Sequence, residues 1–135
     1  MIDKTSILYI YQEPEKLIIK TKNGKEVFNK TFKEFINPYC IAQLTTLKGR
    51  IDAIKIKYRM RKYIPIFIDL ELNLFPTSNQ KDINNIYVNA YNIKRVLELE
   101  DNQTIIIFKN DDKLVIHKSY KIIYRNYQRA LDISK

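Results

Sequence analysis

Positive charge is concentrated in the segment TTLKGRIDAIKIKYRMRK, residues 45–62. Seven of its residues are Lys or Arg, and Asp52 is its one acid. Cations at this density are typical of surfaces that neutralise phosphates, because Lys and Arg bind phosphate oxygens through charge-assisted hydrogen bonds. The segment therefore predicts a polyanion-binding surface formed by Lys48, Arg50, Lys55, Lys57, Arg59, Arg61 and Lys62.

The beginning of this segment has the residue types of a helix N-terminus that accepts a phosphate. Thr45 or Thr46 would cap the helix, and Gly49 would let an oxygen approach the backbone closely. Lys48 and Arg50 would lie near the positive end of the helix dipole. Each would destabilise the helix by roughly 0.3 to 1 kcal/mol unless an anion binds there. These features together predict a phosphate cradle. The alternative is a solvated helix face whose long basic side chains only cover its apolar edges.

The positions of Leu47, Ile51, Ile54 and Tyr58 predict a helix across the whole segment, with these apolar side chains packed inward. Pro65 is expected to end the helix, because the residue before a proline favours an extended backbone. Two rows of cations would border the apolar stripe, with Lys48, Lys55, Arg59 and Lys62 on one flank and Arg50, Lys57 and Arg61 on the other.

The rest of the chain alternates strand-like runs with one further helical pattern, which predicts a single α+β domain over residues 1–135, built mainly on an antiparallel sheet. Asn23 and Gly24 separate two strand-like runs and predict a hairpin at residues 15–30 with a type I′ turn. Further strands of the same sheet are predicted at residues 86–93, 95–100 and 104–117, the last with a turn near residues 110–112.

The last segment, SYKIIYRNYQRALDISK, predicts an amphipathic C-terminal helix capped by Ser119. Arg125 and Arg129 on this helix are candidates for a second, weaker phosphate-binding patch. Its apolar face would pack on the sheet through Tyr120, Ile123, Tyr127, Ala130 and Leu131.

Composition narrows the classes of function. The chain has 24 basic and 15 acidic residues, a net charge of +9, which favours nucleic acid or, less often, an acidic membrane surface as partner. It lacks a secretory signal and a membrane-spanning stretch of roughly 18 apolar residues, so a cytoplasmic protein without membrane association is expected. Cys40 and His117 are the only residues of their types, so neither a metal nor another cofactor is expected. Cys40 is interpreted as a small buried hydrophobe.

An enzyme is the rival class, because Asp69 and Glu71 in FIDLEL would lie on the same side of a strand, where a nuclease could hold Mg²⁺. No lysine follows this pair at close spacing, and His117 has no acid or nucleophile at a recognisable spacing. We therefore expect a protein that is not an enzyme. A basic RNA-binding or ribosome-associated domain is the remaining alternative, although no RNA-recognition motif is found.

The segments CIAQLTTLKGR and LFPTS resemble the ComK family, the competence transcription factors of Gram-positive bacteria. Cys40 is followed nine and ten positions later by Gly49 and Arg50, and an extended PIFID segment leads to Phe-Pro-Thr at residues 75–77, interpreted as a packed turn. The likeness covers residues 36–131, while the first 35 residues match only in pattern. Its other matches are Thr104, Ile106 and Phe108 in a Thr-x-Ile-x-Phe strand, and Ser119 and Arg129 around the last helix.

The resemblance implies a transcription activator that binds AT-rich boxes in promoters of DNA-uptake genes, largely through the minor groove. It also implies action at the nucleoid as a homodimer or pair of dimers. A-tracts have a narrow, negative minor groove that attracts Arg and Lys. The candidates for groove insertion are Arg50, Arg59 and Arg61, and those for phosphate contact are Lys48, Lys55, Lys57 and Lys62.

Three positions depart from the family pattern. Asn85 stands where many members have a second cysteine, Asp111 where the turn often has glycine, and Asn126 where glutamine is common. The chain also ends soon after Arg129, so the tail of longer members is expected to be missing. A regulatory adaptor protein and control by proteolysis are therefore left open.

Overall fold

A six-stranded antiparallel sheet, sheet A, forms the centre of the computed structural model, which describes residues 2–135. The strands are β1 (Ile7–Glu13), β2 (Lys16–Thr21), β3 (Gly24–Phe28), β4 (Ile66–Asp69), β5 (Leu72–Pro76) and β6 (Ile86–Asn89). Their spatial order is β3-β2-β1-β6-β5-β4. Both faces are apolar because the central strands are rich in Ile and Leu, so each face requires a covering layer.

A second sheet, sheet B, contains β7 (Ile93–Leu99), β8 (Gln103–Phe108) and β9 (Lys113–Ile116) in that order. The α+β class is confirmed, but the prediction that all strands share one sheet was wrong. The chain changes direction at residues 90–92, where the buried Asn92 Nδ2 donates to the carbonyls of Thr5 at 2.9 Å and Ile7 at 2.7 Å. These bonds fix the turn that separates the two sheets.

The predicted hairpins are confirmed at β2–β3 and β8–β9, but the first has a different turn. A type I′ turn needs positive φ at both central residues. Here φ is positive at Gly24 (123°) and not at Asn23. The Thr21 hydroxyl accepts from the Asn23 amide at 3.1 Å and donates to the Gly24 carbonyl at 2.9 Å, which stabilises this alternative turn.

Helix α1 (Phe32–Ala42) was not predicted from the sequence. Its start is a capping box, in which the Glu34 amide donates to Thr31 Oγ1 and the Thr31 amide donates to Glu34 Oε1, both at 3.1 Å. The motif TFKE was the available signal, while Pro38 inside the helix argued against one. Cys40 is fully buried, as predicted, and this burial raises the pKa of its thiol.

Helix α2 (Leu47–Tyr58) is shorter than predicted. Thr46 caps it as expected, since Thr46 Oγ1 accepts from the Gly49 amide at 3.0 Å. Its last residue is Tyr58, and the following residue, Arg59, has a left-handed backbone with φ 55°. Pro65 therefore does not end the helix. A longer helix would place Lys55 near Arg59 and Lys57 near Arg61, and like charges four residues apart repel. Arg59, Arg61 and Lys62 therefore lie in the following loop, and the two predicted rows of cations are not formed.

The Phe-Pro-Thr triplet is not a turn. Phe75 and Pro76 are the last two residues of β5 and are buried, and Thr77 follows directly. Pro76 is tolerated because it occupies a strand end, where the missing amide removes little of the ladder. The triplet therefore belongs to the core of sheet A.

Helix α3 (Tyr120–Ile133) confirms the predicted C-terminal helix and its Ser119 cap. It is attached to β5 by two buried side-chain bonds. Asn126 Nδ2 donates to the Pro76 carbonyl at 3.1 Å, and Asn73 Nδ2 donates to the Ala130 carbonyl at 2.8 Å. The sequence analysis did not identify either asparagine as an inward-facing residue.

Two hydrophobic cores occupy the two faces of sheet A. Helix α1 covers one face, where Phe35 and Ile36 pack on the strands. Sheet B and α3 cover the other face, where Phe75, Phe108 and Ile123 meet. Within residues 2–135, no helix is both long and apolar enough to span a membrane.

Replacing Asn126 by Ala should lower the free energy of unfolding by about 2 kcal/mol, because the Pro76 carbonyl would lose its donor inside the core. Urea unfolding measures this change, with Asn84→Ala at an exposed loop position as the matched control. The control should remain within about 0.5 kcal/mol of the parent protein. Equal effects of the two substitutions would contradict this role for Asn126.

Candidate nucleic-acid interface

Residues 59–63, which we call the basic loop, follow the end of α2. Two of these residues have a left-handed backbone. Both Arg59 and Tyr63 have φ of 55°. This conformation is unfavourable for residues with a Cβ by about 1 kcal/mol or more. The loop therefore has a defined, strained backbone.

The basic loop and α3 line one groove of about 550 Å³, which we call the basic groove. Arg129 Nη1 donates to the Lys62 carbonyl at 3.4 Å, and the Arg125 guanidinium carbon lies 6.0 Å from the centre of the Tyr63 ring. These contacts connect the two segments directly. The groove is lined by Arg59, Met60, Arg61, Lys62, Tyr63, Arg125 and Arg129.

The five cations of the basic groove have no carboxylate opposite them. None takes part in an ion pair with another residue of the described range 2–135. Arg59, Arg61, Lys62 and Arg125 are exposed, and Arg129 is half-buried. Elsewhere several lysines do have acidic partners, as in the Lys94–Asp111 pair at 3.0 Å. The positive charge of the groove is therefore not neutralised by acidic side chains within residues 2–135.

The structure brings together two sets of residues that the sequence analysis treated as separate. Arg125 and Arg129, predicted as a weaker second patch, line the same groove as Arg59 and Arg61. Met60 and Tyr63, which were not predicted as site residues, also line it. No sequence signal marked Tyr63, because its left-handed backbone and its position beside Arg125 depend on the tertiary fold.

Lys55 extends the basic surface from the groove toward α2. A smaller cavity of about 80 Å³ has Lys55, Arg61 and Lys62 among its lining residues. Lys57 is exposed, and its Nζ lies 5.4 Å from the ring centre of Tyr58. Both lysines belong to the last turn of α2, where a cation interacts favourably with the helix dipole.

At the start of α2, the chain supplies its own partners for the groups of the predicted phosphate cradle. The Thr46 hydroxyl caps Gly49, and a Cβ at Gly49 would lie only 3.1 Å from Thr45 Oγ1 and 3.2 Å from Thr46 Oγ1. The cap therefore explains the glycine without a ligand. Lys48 Nζ donates to Asp52 Oδ2 at 2.9 Å, and this bond raises the pKa of Lys48 and lowers that of Asp52. The phosphate cradle stays a prediction.

Arg50 differs from the other two arginines expected to enter a DNA groove. Its side chain is half-buried, and Nη1 donates to the Phe67 carbonyl at 2.6 Å. Its Nε is buried without a partner in the described part of the chain. The guanidinium is thus held against β4, whereas Arg59 and Arg61 are free to extend into solvent.

The predicted acidic pair does not lie on one side of a strand. Asp69 ends β4 and Glu71 belongs to the turn before β5. Asp69 Oδ1 accepts from the amides of Glu71 at 2.9 Å and Leu72 at 3.0 Å, and the carboxylate also pairs with Lys4. This carboxylate therefore stabilises the turn. Residues 2–135 contain no cluster of three or more His, Cys, Asp or Glu side chains that could hold a metal ion.

Comparisons with known proteins give one family match. A family model described as ComK protein matches residues 3–134. No curated protein matches the chain. A solved LytTr DNA-binding domain of a methyl-accepting/DNA response regulator from Bacillus cereus has a TM-score of 0.47 and 12% identity, covering 94% of this chain and 84% of that one. A likeness at that level supports no conclusion here. Because the family model covers nearly the whole chain, the protein belongs to the ComK family of DNA-binding competence transcription regulators.

Proposed function

We propose that this protein is a transcription activator that binds AT-rich duplex DNA at promoters of DNA-uptake genes, with the basic groove as its principal contact. The observation that carries the proposal is the meeting of five cations from two distant segments without a facing carboxylate. Such a surface attracts a polyanion and releases counterions when phosphates replace them.

Within this proposal the cations have different tasks. Arg59 and Arg61 enter the minor groove, because they are exposed and guanidinium groups favour the narrow, negative groove of A-tracts. Arg50 supports β4 through its bond to Phe67. The start of α2, with Thr45, Thr46, Lys48 and Gly49, is a peripheral phosphate contact. The remaining phosphate contacts are Lys55, Lys57, Lys62, Arg125 and Arg129.

The assembly on DNA follows from the same proposal. Minor-groove boxes are short, so a single copy covers little sequence, and we propose that two or more copies bind neighbouring boxes. A basic protein of this kind would be located at the nucleoid. Both the assembly and the location are proposed from the membership of this chain in the ComK family.

The direct test compares the affinity of the protein for three nucleic acids of equal length by fluorescence anisotropy. Spaced A and T tracts should bind most tightly, and GC-rich duplex and RNA should compete poorly. Preference for RNA would favour the RNA-binding alternative and contradict the proposal. Equal affinity for the AT-rich and GC-rich duplexes would contradict the proposed preference for AT-rich DNA.

The salt dependence of binding should reflect the five proposed phosphate contacts, Lys55, Lys57, Lys62, Arg125 and Arg129. Neutralising about five phosphates gives a slope of about −4.5 for log K against log[salt]. Replacing both Arg125 and Arg129 by Ala should reduce the steepness of that slope by about two. Lys16→Ala/Lys22→Ala, at exposed lysines at the two ends of β2, is the matched control and should leave the slope unchanged. A slope near zero for the parent protein would contradict phosphate binding by this groove.

Arg59→Gly should separate folding from DNA binding. Glycine relieves the left-handed strain, so the free energy of unfolding should not fall, while DNA affinity should drop about fivefold, corresponding to about 1 kcal/mol for one lost contact. Leu44→Gly is the matched control, because Leu44 has φ of 60° and is 96% exposed. Loss of DNA affinity in both variants would mean that glycine at a left-handed loop position weakens binding by itself, and the loss could then not be assigned to the Arg59 side chain.

Arg61→Ala and Arg50→Ala should have different effects on binding to AT-rich and GC-rich duplexes. Arg61→Ala should weaken binding to AT-rich duplex more than to GC-rich duplex, because the side chain reads the groove. Arg50→Ala should weaken both duplexes equally and also lower stability in urea unfolding, because the Phe67 carbonyl loses its donor. The reverse pattern, with Arg50→Ala selective for AT-rich duplex, would assign groove insertion to Arg50.

A further inference from the structure

Sheet B has an apolar outer face that neither core includes. Side chains alternate along a strand, so Ile105 and Ile107 of β8 point away from the buried Ile106. The strand register arranges the outer face in three cross-strand rows. These rows are Arg95–Ile107–Lys113 at one end, Leu97–Ile105–Val115 in the middle, and Leu99–Gln103 at the other end, where Gln103 Nε2 also contacts His117 Nδ1 at 2.8 Å.

The middle row is open to solvent on this face. Leu97 is 42% exposed and Val115 is 44% exposed, and Ile105 between them is half-buried. Helix α3 packs on the opposite, inner face, where Ile106 and Phe108 lie. The outer face of a solvated antiparallel sheet is normally polar. A contiguous apolar patch with polar ends is typical of an interaction surface.

The charges at the two ends of the face have opposite sign. Arg95 and Lys113 belong to the first row, where the neighbouring acids Asp111 and Asp112 are paired with Lys94 and Lys20. Glu100 and Asp101 form the turn beyond the last row. Within the range that the structure describes, no ion pair is formed by Arg95, Lys113, Glu100 or Asp101. Turned end over end about the middle row, a second copy of this face would place its last row over the basic row of the first, with its acidic turn next to Arg95.

We infer that the outer face of sheet B is an interface between two copies of this chain, packed antiparallel about a two-fold axis along the middle row. Leu97, Ile105 and Val115 each meet their own equivalents, and Arg95 of each copy pairs with Glu100 of the partner subunit. The inference names the surface for the self-association proposed above. The second copy is preferred to an unrelated partner because the face is complementary to itself in both apolar and charged features.

The size of the face sets the expected strength of the dimer. Three strands about 4.8 Å apart and about 20 Å long present roughly 300 Å² of flat surface. Stable complexes usually bury about 800 Å² per partner. Association of the free protein should therefore be weak and dependent on concentration.

Sedimentation velocity of the protein without DNA, up to about 1 mM, tests the inference separately from DNA binding. The parent protein should shift from monomer toward dimer as its concentration rises. Leu97→Asp should abolish the shift, because two carboxylates would meet at the axis. Leu70→Asp, at a residue 63% exposed in the β4–β5 turn, should leave it unchanged.

A charge exchange tests the orientation of the two copies. Arg95→Glu should weaken the dimer at least tenfold, and the double variant Arg95→Glu/Glu100→Arg should restore it. Failure of the double variant to restore association would overturn the antiparallel arrangement. The inference would be overturned if the protein stays monomeric up to about 1 mM. It would also be overturned if a dimer forms that Leu97→Asp does not affect. Either result would leave the DNA-binding proposal standing if the anisotropy experiment succeeds.

Discussion

The attachment of α3 to β5 decides where this molecule concentrates its positive charge. Two buried asparagines bond across this interface, Asn126 to the Pro76 carbonyl and Asn73 to the Ala130 carbonyl. A buried side-chain bond of this kind is directional, so it fixes both the position and the rotation of the helix in a way that apolar contacts alone do not. That rotation places Arg125 and Arg129 beside the basic loop. Without it, the cations of the two segments would be separate solvated charges.

Crowding five cations in one groove opposes folding, because like charges repel one another. The basic loop adds further strain through two left-handed residues, Arg59 and Tyr63. Strain and unpaired charge held together by a packed scaffold are features of ligand-binding sites. A bound phosphate backbone would relieve the repulsion between the cations.

Local chemistry made part of this molecule predictable from its sequence. The caps at Thr46 and Ser119 and the hairpin beside Gly24 depend on residues within a few positions of one another. The end of α2 follows from repulsion between cations four residues apart, whereas the division into two sheets and the basic groove depend on distant contacts. The bond from Arg129 to the Lys62 carbonyl joins residues 67 positions apart, which no local pattern can reveal. The charged residues could therefore be identified, whereas their arrangement required the fold.

The most direct test of the account is a titration of ¹⁵N-labelled protein with a duplex of spaced A and T tracts, followed by amide chemical shifts. If the basic groove holds DNA, the largest changes will fall in residues 59–63 and 125–129, with smaller changes near Lys55 and at the start of α2. Changes centred on the outer face of sheet B, with the groove unaffected, would contradict the account.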